Sequence, residues 1–188
     1  MPLRSFRFGK ARLAPVLDDD ARAALARRMA DTVVAAAGAR AIVVVSSAPD
    51  VIEWCEQHAL AQVDDPGSLD AAADLGRAWV RERELPRVVV VHGDLPFASS
   101  LDEVTSDGDE PIAVLVSDQR GDGTPVCSIP VAAAFTFAYG SGSFARHVDA
   151  AARAGLTVRE VHDRALGFDV DVPEDLDALD ALDAKPTC

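Results

Sequence analysis

The stretch Val88–Phe97 reads VVVVHGDLPF, four valines that run into a histidine and then into a tight turn. A short, uniformly apolar run is typical of a strand that is buried on both faces of a sheet. Asp94 follows this strand directly, between a glycine and a Leu-Pro pair. Ligands of open α/β sheets bind outside the carboxyl ends of the strands. Asp94 is therefore a candidate ligand for a divalent cation such as Mg2+, which prefers oxygen donors. The structural alternative is an Asx-turn or a helix cap.

Helices and strands alternate on both sides of this stretch. Upstream, the pattern predicts a helix capped by Asp18 or Asp19 and stopped by Gly38, then an apolar strand over 41–47 and a helix begun by Pro49. Downstream it predicts a strand over 112–118 and a helix over 141–155. Alternation of this kind indicates a parallel or mostly parallel sheet with helices on both faces.

The second half of the chain changes character. Short strands are predicted over 124–130, 156–161 and 166–170, followed by a final helix that begins at Pro173. We expect these strands to add antiparallel pairing at one side of the sheet. The predicted fold class is α/β: one domain over residues 1–188, a three-layer sandwich around a mixed, mostly parallel sheet.

Composition narrows the classes of partner. The 188 residues are 49% apolar and carry a formal net charge of −13, which argues against a general nucleic-acid or anionic-membrane surface. No apolar run approaches the roughly 18 residues of a membrane helix. Three widely spaced cysteines fit neither a disulfide framework nor a metal site. These features predict a cytoplasmic protein.

A second pair of carboxylates follows in the segment LGFDVDVPEDL, where Asp169 and Asp171 precede a helix. Side chains alternate along an extended chain, so only one of the two can face the same side as Asp94. That one and Asp94 could share a cation, although Asp171 could equally be a helix cap.

Basic residues gather near the start of the chain, in the segment RSFRFGKARLAP. There Gly9 allows close backbone approach, and Lys10 and Arg12 suit a nucleotide phosphate tail.

Six segments occur in the order found in the 2-phospho-L-lactate guanylyltransferase family, whose actinobacterial branch is known as phosphoenolpyruvate guanylyltransferase. They are RSFRFGKARLAP, DDPGSLDAA, VVVVHGDLP, GDGTPV, YGSGSFARH and FDVDVPEDL. The resemblance covers nearly the whole chain. It implies a nucleotidyltransferase with a glycosyltransferase-A-like Rossmann fold, GTP and a small phosphorylated acid as substrates, Mg2+ as cofactor, and a place in coenzyme F(420) biosynthesis.

The resemblance also implies roles for single residues. Lys10 and Arg12 match the basic pair that meets the GTP phosphates. Asp94 matches one metal ligand and Asp169 the second, with Asp171 as the weaker choice. Thr124, Gly140 and Ser143 match positions that hold the acceptor acid. The positions that surround the nucleotide base and ribose are Asp65, Gly67, Ser68, Leu69 and Asp70.

Two departures from the family pattern stand out. Asp70 replaces the usual asparagine; its carboxylate can accept a hydrogen bond from guanine but cannot donate one. The apolar first strand that precedes the basic loop is nearly absent, so the first strand is expected to be truncated, and we expect a further apolar strand upstream of Met1 in the natural protein.

The implied chemistry requires no general base, because a phosphomonoester with a second pKa of about 6 is mostly dianionic at neutral pH. Among the histidines, only His147 is retained as a candidate ligand contact. Two alternatives stay open: a molybdopterin- or sugar-type nucleotidyltransferase, and a non-catalytic relative that binds a nucleotide or a partner protein. The choice among phosphoenolpyruvate, 2-phospho-L-lactate and 3-phospho-D-glycerate, and the oligomeric state, also stay open.

Overall fold

The computed structural model describes residues 1–105 and 108–183. In these ranges a short 3-10 helix is followed by seven α-helices and six strands. In chain order they are the 3-10 helix Ala11–Leu13, α1 Asp19–Ala37, β1 Val43–Val45, α2 Pro49–Gln57, β2 Ala61–Val63, α3 Leu69–Glu82, β3 Arg87–Val91, α4 Asp102–Thr105, β4 Ile112–Val116, β5 Val126–Pro130, α5 Ser143–Arg153, β6 Thr157–Glu160, α6 Arg164–Gly167 and α7 Pro173–Asp183.

The ends of the helices follow local signals in the sequence. Asp18 caps α1, because its carboxylate accepts the backbone N–H of Ala21 at 2.8 Å. The same helix ends at Gly38, which has a positive φ of 61°. The predicted boundaries of this helix are therefore confirmed. None of the helices within the described ranges has the length and apolar character needed to cross a membrane.

The strands form two sheets. β1 and β2 pair in parallel, and the second sheet has the order β3-β5-β4-β6. β5 is antiparallel to both β3 and β4, whereas β6 is parallel to β4. The mixed α/β architecture is confirmed, but the expected position of the antiparallel pairing is wrong, since β5 lies inside the sheet. The loop over 117–125 is too short for a parallel crossover, which needs about a dozen residues or more, so β5 must return antiparallel to β4.

One further predicted strand is absent from the observed fold. The segment over 166–170 begins in the last two residues of α6 and continues as extended chain without a strand partner in the described residues. Asp163 starts α6 by accepting the backbone N–H groups of Ala165 and Leu166. This local cap favours a helical turn where the apolar run LGFDV had suggested a strand.

Helices cover both faces of the four-stranded sheet. On one face, Val88 and Val90 cluster with buried residues of α3 and α5. On the other face, Val91 and Val114 cluster with buried residues of α1, α2 and α4. Alternate residues of each strand thus belong to different cores, as expected for a strand buried on both sides. The arrangement has the three layers that the sequence predicts.

The start of the chain lies beside β1. The backbone N–H of Leu3 donates to Val45 O at 3.0 Å, the N–H of Val45 donates to Met1 O at 3.0 Å, and the Met1 ammonium donates to Val43 O at 2.8 Å. Met1 is buried. The first strand is thus short, as expected: residues 1–3 pair with β1 through one isolated bridge, Pro2 with Val45, and these contacts anchor the basic loop that follows. A cavity of about 430 Å3 remains between β1 and β3, lined by both strands, α1 and α3. The expected strand upstream of Met1 stays a prediction.

Candidate active site

The turn after β3 places Asp94 at the carboxyl end of that strand. The backbone N–H of His92 donates to Pro125 O at 2.9 Å, which continues the pairing with β5 for one more residue. Gly93 then passes so close to Leu3 that any Cβ at this position would collide with the leucine side chain. Leu95 is completely buried and fixes the other side of the turn. The Asp94 side chain between them is one-quarter exposed.

The basic loop brings Lys10 onto this carboxylate. Lys10 has a left-handed backbone (φ 53°) and starts the 3-10 helix, whose buried Leu13 anchors it. Its ammonium Nζ lies 2.6 Å from Asp94 Oδ2 and 2.9 Å from Asp171 Oδ1. Burial alone would lower the pKa of Lys10, but the two carboxylates raise it above its ordinary value. Lys10 is therefore a charged, well-held bridge between two separate segments of the chain.

The segment that carries Asp169 and Asp171 is organised by Asp175, a residue that the sequence analysis did not single out. The buried Asp175 carboxylate accepts the backbone N–H groups of Asp171 (2.8 Å) and Val172 (3.0 Å). It also accepts Arg120 Nη2 at 2.9 Å. Burial would raise the pKa of Asp175, but these hydrogen bonds, with the Arg120 charge, hold it below its ordinary value.

We expect Asp175→Asn to loosen this segment. The amide keeps one acceptor but loses the charge that faces Arg120, so the free energy of unfolding at pH 7 should fall by about 1–3 kcal/mol. Turnover at this site should fall about tenfold, because the main chain of Asp171 is no longer held. Urea unfolding and kcat/KM measure the two effects. Asp177→Asn, an exposed change in the same helix, is the control; equal effects of the two variants would contradict the organising role.

The three carboxylates of the site differ in electrostatic setting. Burial would raise the pKa of Asp94, but Lys10 and His92 lower it, and the net shift is downward. Burial raises the pKa of Asp169 to about 6, and the nearby charges of Asp94 and Asp171 act in the same direction. Arg120 Nη1 lies 3.6 Å from Asp169 Oδ1, too far for a hydrogen bond. Asp169 thus bears a poorly compensated negative charge close to Asp94.

Two carboxylate oxygens, one from Asp94 and one from Asp169, are suited to bind a cation. Asp94 Oδ1 and Asp169 Oδ1 are both buried, and neither accepts a hydrogen bond from the described residues. Buried carboxylate oxygens without partners are costly unless a proton or a cation meets them. No group of three or more acidic, histidine or cysteine side chains that could hold a metal occurs in the part of the chain described. Mg2+ commonly uses one or two carboxylates together with substrate phosphates, so a two-carboxylate site fits it.

A cavity of about 560 Å3 adjoins Lys10 and Asp94. Its walls bring together all but one of the residues predicted for nucleotide phosphates, base and ribose, namely Lys10, Arg12, Asp65, Gly67, Ser68 and Leu69, and two of the three candidate metal ligands, Asp94 and Asp171. Asp65 shapes the loop by accepting the backbone N–H of Gly67 at 2.9 Å, where the φ of 99° requires glycine. Ser68 caps α3. Arg12 is exposed at the cavity, and Asp169 and Asp70 do not line it.

Asp70 has a protein partner in the structure. Its Oδ1 accepts the backbone N–H of Tyr139 at 2.6 Å, which joins the start of α3 to the segment before α5. One oxygen of the carboxylate predicted to meet the guanine base is thus engaged within the chain. The contact ties the predicted nucleotide loop to the predicted acceptor loop, which lies 69 residues away along the sequence.

The three residues predicted for the acceptor acid lie together, outside the walls of this cavity. Thr124 Oγ1 is 3.3 Å from Ser143 Oγ, and the backbone N–H of Ser143 donates to Gly140 O at 3.0 Å. Gly140 has a φ of 101°, which a side chain would strain. Both hydroxyl-bearing residues are buried. His147 Nδ1 lies 3.0 Å from Thr124 Oγ1.

His92 and Tyr139 connect the cavity beside Asp94 with the buried hydroxyls through ring contacts that reach His147. Their ring centroids are 5.5 Å apart, and His92 lines the cavity. His92 Nε2 and the Tyr139 hydroxyl are both buried, without hydrogen-bond partners in the described residues. The sequence interpretation of His92 as an ordinary packing or surface residue missed this placement. The signal was present, since His92 directly follows the buried strand β3 and comes two residues before Asp94.

Comparison with known proteins gives three findings. A family model described as guanylyl transferase CofC like matches residues 1–181. The phosphoenolpyruvate guanylyltransferase of Rubrobacter xylanophilus is 35% identical over 190 residues, which cover 96% of this chain and 92% of that protein. The 2-phospho-L-lactate guanylyltransferase of Methanothermobacter thermautotrophicus is 27% identical over 180 residues, covering 94% of this chain and 80% of that protein.

One solved structure has a fold similar to that of this chain. The chain is similar to a Desulfovibrio desulfuricans G20 protein described as a nucleotide-diphospho-sugar transferase, with a TM-score of 0.78 at 17% identity. The match covers 99% of this chain and 87% of that one. At this identity the likeness concerns the fold alone, and it confirms the predicted α/β class.

Proposed function

Because this chain belongs to the CofC-like guanylyl transferase family, we propose that it transfers the guanylyl group of GTP to the phosphate of a small phosphorylated carboxylic acid. The observation that supports this most is the cavity in which Lys10, Asp94 and the loop over 65–69 meet. Relatives named for phosphoenolpyruvate and for 2-phospho-L-lactate supply the two leading acceptors. The product then serves the assembly of coenzyme F(420).

In the proposed reaction, a phosphate oxygen of the acid attacks the α-phosphorus of GTP. One phosphorus–oxygen bond forms, the bond to the β-phosphate bridge breaks, and pyrophosphate leaves with the electron pair. The attacking phosphate is already mostly dianionic at neutral pH, since its second pKa is about 6. The residues of the chain therefore have to position and neutralise charge, not remove a proton.

Lys10 supplies the fixed positive charge. Its ammonium is pinned by Asp94 and Asp171 and cannot swing freely, so it presents its third N–H direction to the phosphates at little entropic cost. Arg12 is exposed at the cavity and suits the outer phosphates, which carry the charge of the departing pyrophosphate. The overall charge of −13 makes these local cations more important, because the rest of the surface repels the substrates.

Asp94 and Asp169 would hold Mg2+ through the buried oxygens that accept no hydrogen bond. When bound, the ion supplies charge neutralisation at the transferred phosphate and a fixed template for in-line geometry. Asp171 stays with Lys10 in this assignment. The hydroxyls of Thr124 and Ser143 and the backbone at Gly140 receive the acid, next to the start of α5, where helix N–H groups favour anions.

The proposal predicts a specific product. Incubation with GTP, Mg2+ and each of phosphoenolpyruvate, 2-phospho-L-lactate and 3-phospho-D-glycerate should yield the mass of GMP joined to one of these acids, with equal release of pyrophosphate. ATP and CTP are the matched controls and should react at least about tenfold more slowly, because a site that hydrogen-bonds one base leaves polar groups unpaired with another. Transfer from CTP at the rate of GTP would favour a sugar-type nucleotidyltransferase instead. No product with any acid would overturn the proposal.

A further inference from the structure

His147 is a completely buried histidine that the phosphoryl-transfer chemistry does not use. It lies on α5, four residues after Ser143, so one helical turn brings both side chains to the same face. Phe135, Phe137 and Tyr139 surround its ring, with centroid distances of 5.7, 6.4 and 4.7 Å. A histidine enclosed by aromatic rings must satisfy both ring nitrogens within the protein.

The two hydrogen bonds of the ring determine its tautomer. The backbone N–H of Ala138 donates to Nε2 at 3.0 Å. A backbone N–H can only donate, so Nε2 carries no proton, and the single proton of the neutral ring must lie on Nδ1. Nδ1 is 3.0 Å from Thr124 Oγ1 and therefore donates to it. The fold thus selects one of the two neutral forms of the imidazole.

The direction of this hydrogen bond passes to the next hydroxyl. Thr124 Oγ1 accepts from His147, so its own proton is free to point to Ser143 Oγ, 3.3 Å away. Ser143 Oγ then accepts, and its remaining proton has no other partner in the described residues. The chain Ala138 N–H, His147, Thr124, Ser143 runs one way and ends in an unused donor.

The ring stays in this state over the working pH range. Burial lowers the pKa of His147 to about 4, in spite of the opposing charge of Asp70; Arg146 and His92 lower it further. Protonation would also place an Nε2 proton against the Ala138 N–H, so the geometry itself disfavours the charged form. A neutral ring with one fixed proton can hold the hydroxyls in a single orientation.

We propose that His147 is a positioning residue that turns the Thr124–Ser143 hydroxyl pair into hydrogen-bond donors for the anionic acceptor acid. This rests on the proposed function, which places the acid at these hydroxyls. A hydroxyl that presented its lone pairs instead would repel a phosphate or carboxylate. Because both hydroxyl-bearing residues are buried, that orientation matters more than it does in solution.

Two variants test the two ring nitrogens of His147 one at a time. His147→Asn places an amide N–H near the position of Nδ1 and retains the donor to Thr124. His147→Gln places an oxygen near the position of Nε2 and retains the acceptor for Ala138, but loses the donor. We expect His147→Gln to raise the KM of the acid about five- to tenfold, the size of one lost hydrogen bond, with the KM of GTP changed less than about twofold. His147→Asn should raise the KM of the acid less than about twofold.

A purely structural histidine would give a different pattern, with both variants losing stability and activity together. A double-mutant cycle with Thr124→Val adds a second test. Once the threonine hydroxyl is absent, His147→Gln should cause no further rise in the KM of the acid. Additive effects would overturn the proposal, and so would a larger loss in His147→Asn than in His147→Gln. Thr124→Ser, which retains the hydroxyl, should leave the effect of His147→Gln intact.

A spectroscopic measurement tests the hydrogen-bond direction without any turnover. Long-range proton–nitrogen NMR of the wild-type protein should show the His147 ring proton on Nδ1 from pH 5.5 to 8, with the signal assigned by its loss in His147→Gln. A proton on Nε2 would overturn the proposal. Failure of the proposed function is distinct, because it appears as a wild-type protein that is inactive with every acid. Failure of the positioning role appears as an active wild type with unaffected His147 variants.

Discussion

Replacing Asp94 with asparagine is expected to reduce guanylyl transfer by about a thousandfold while the protein stays folded. Asp94 meets Lys10 with one oxygen and keeps the other buried and free of hydrogen bonds. The amide removes the charge that both Lys10 and a bound cation need, and it offers only one weak oxygen ligand. The measurement is kcat/KM from pyrophosphate release at saturating Mg2+, with thermal melting in parallel.

The neighbouring carboxylates provide graded comparisons. Asp169→Asn should cost about a hundredfold in transfer, since Asp169 holds the second free buried oxygen. Asp171→Asn should cost less, because the ammonium of Lys10 remains held by Asp94. If Asp94→Asn retained a tenth or more of the wild-type rate, this carboxylate would not be a metal ligand. If Asp171→Asn were as damaging as Asp94→Asn, the second ligand would be Asp171.

For Asp169→Asn we expect the stability of the protein to rise although its activity falls. Its pKa is raised to about 6 in the folded state, above the roughly 3.9 of an unfolded chain, so the folded protein binds more protons between these values. The stability that protonated Asp169 contributes is present at low pH and lost as pH rises through about 6. In metal-free buffer at pH 8, Asp169→Asn lacks this buried charge and should melt at a higher temperature than the wild type. Loss of activity with gain of stability is typical of a site built for a ligand.

The sequence predicted those parts of the site that lie in short, continuous motifs. Lys10 follows a glycine in the basic segment, Asp94 follows a glycine after a buried strand, and the structure places the two side chains in contact. Local chemistry was enough here, because a buried strand followed by a tight turn leaves few positions for the carboxylate. The roles of these residues in binding nucleotide and metal stay predictions.

Sequence patterns did not predict the contacts that depend on distant segments. The internal position of β5 follows from a short loop that was interpreted only as a turn. Asp175 resembled one more acidic residue in a helix, yet it holds the main chain of Asp171 and pairs with Arg120, 55 residues away. His147 was noted only as one candidate contact, because its partners Ala138 and Thr124 come together only in the folded chain. Side-chain networks of this kind carry no periodic signal in the sequence.

Replacing Lys10 with methionine is expected to separate nucleotide turnover from cation binding. Methionine keeps the length and packing of the side chain but removes the charge between Asp94 and Asp171. Turnover should fall by at least about a hundredfold, because the fixed cation that meets the phosphates is lost. Mg2+ alone should bind more tightly than in the wild type, since the metal no longer competes with the ammonium for Asp94. Calorimetric titration with Mg2+ in the absence of nucleotide measures the second effect, and kcat/KM measures the first.

Lys10→Arg is the matched control, since it keeps the charge but replaces a compact ammonium by a larger planar group. It should leave Mg2+ binding near the wild-type value. It should restore only part of the turnover, because a guanidinium cannot replace Nζ, which lies 2.6 Å from Asp94 Oδ2 and 2.9 Å from Asp171 Oδ1, without displacing the carboxylates. Weaker Mg2+ binding in Lys10→Met would mean that the lysine organises the metal ligands and does not compete for them. Unchanged turnover in Lys10→Met would transfer the phosphate-binding role to Arg12.

Because both carboxylates lose their counter-ion in Lys10→Met, this variant should also melt at a lower temperature in metal-free buffer and recover when Mg2+ is added. That recovery is specific to a cation that replaces the ammonium, and a general salt effect at equal ionic strength would not produce it.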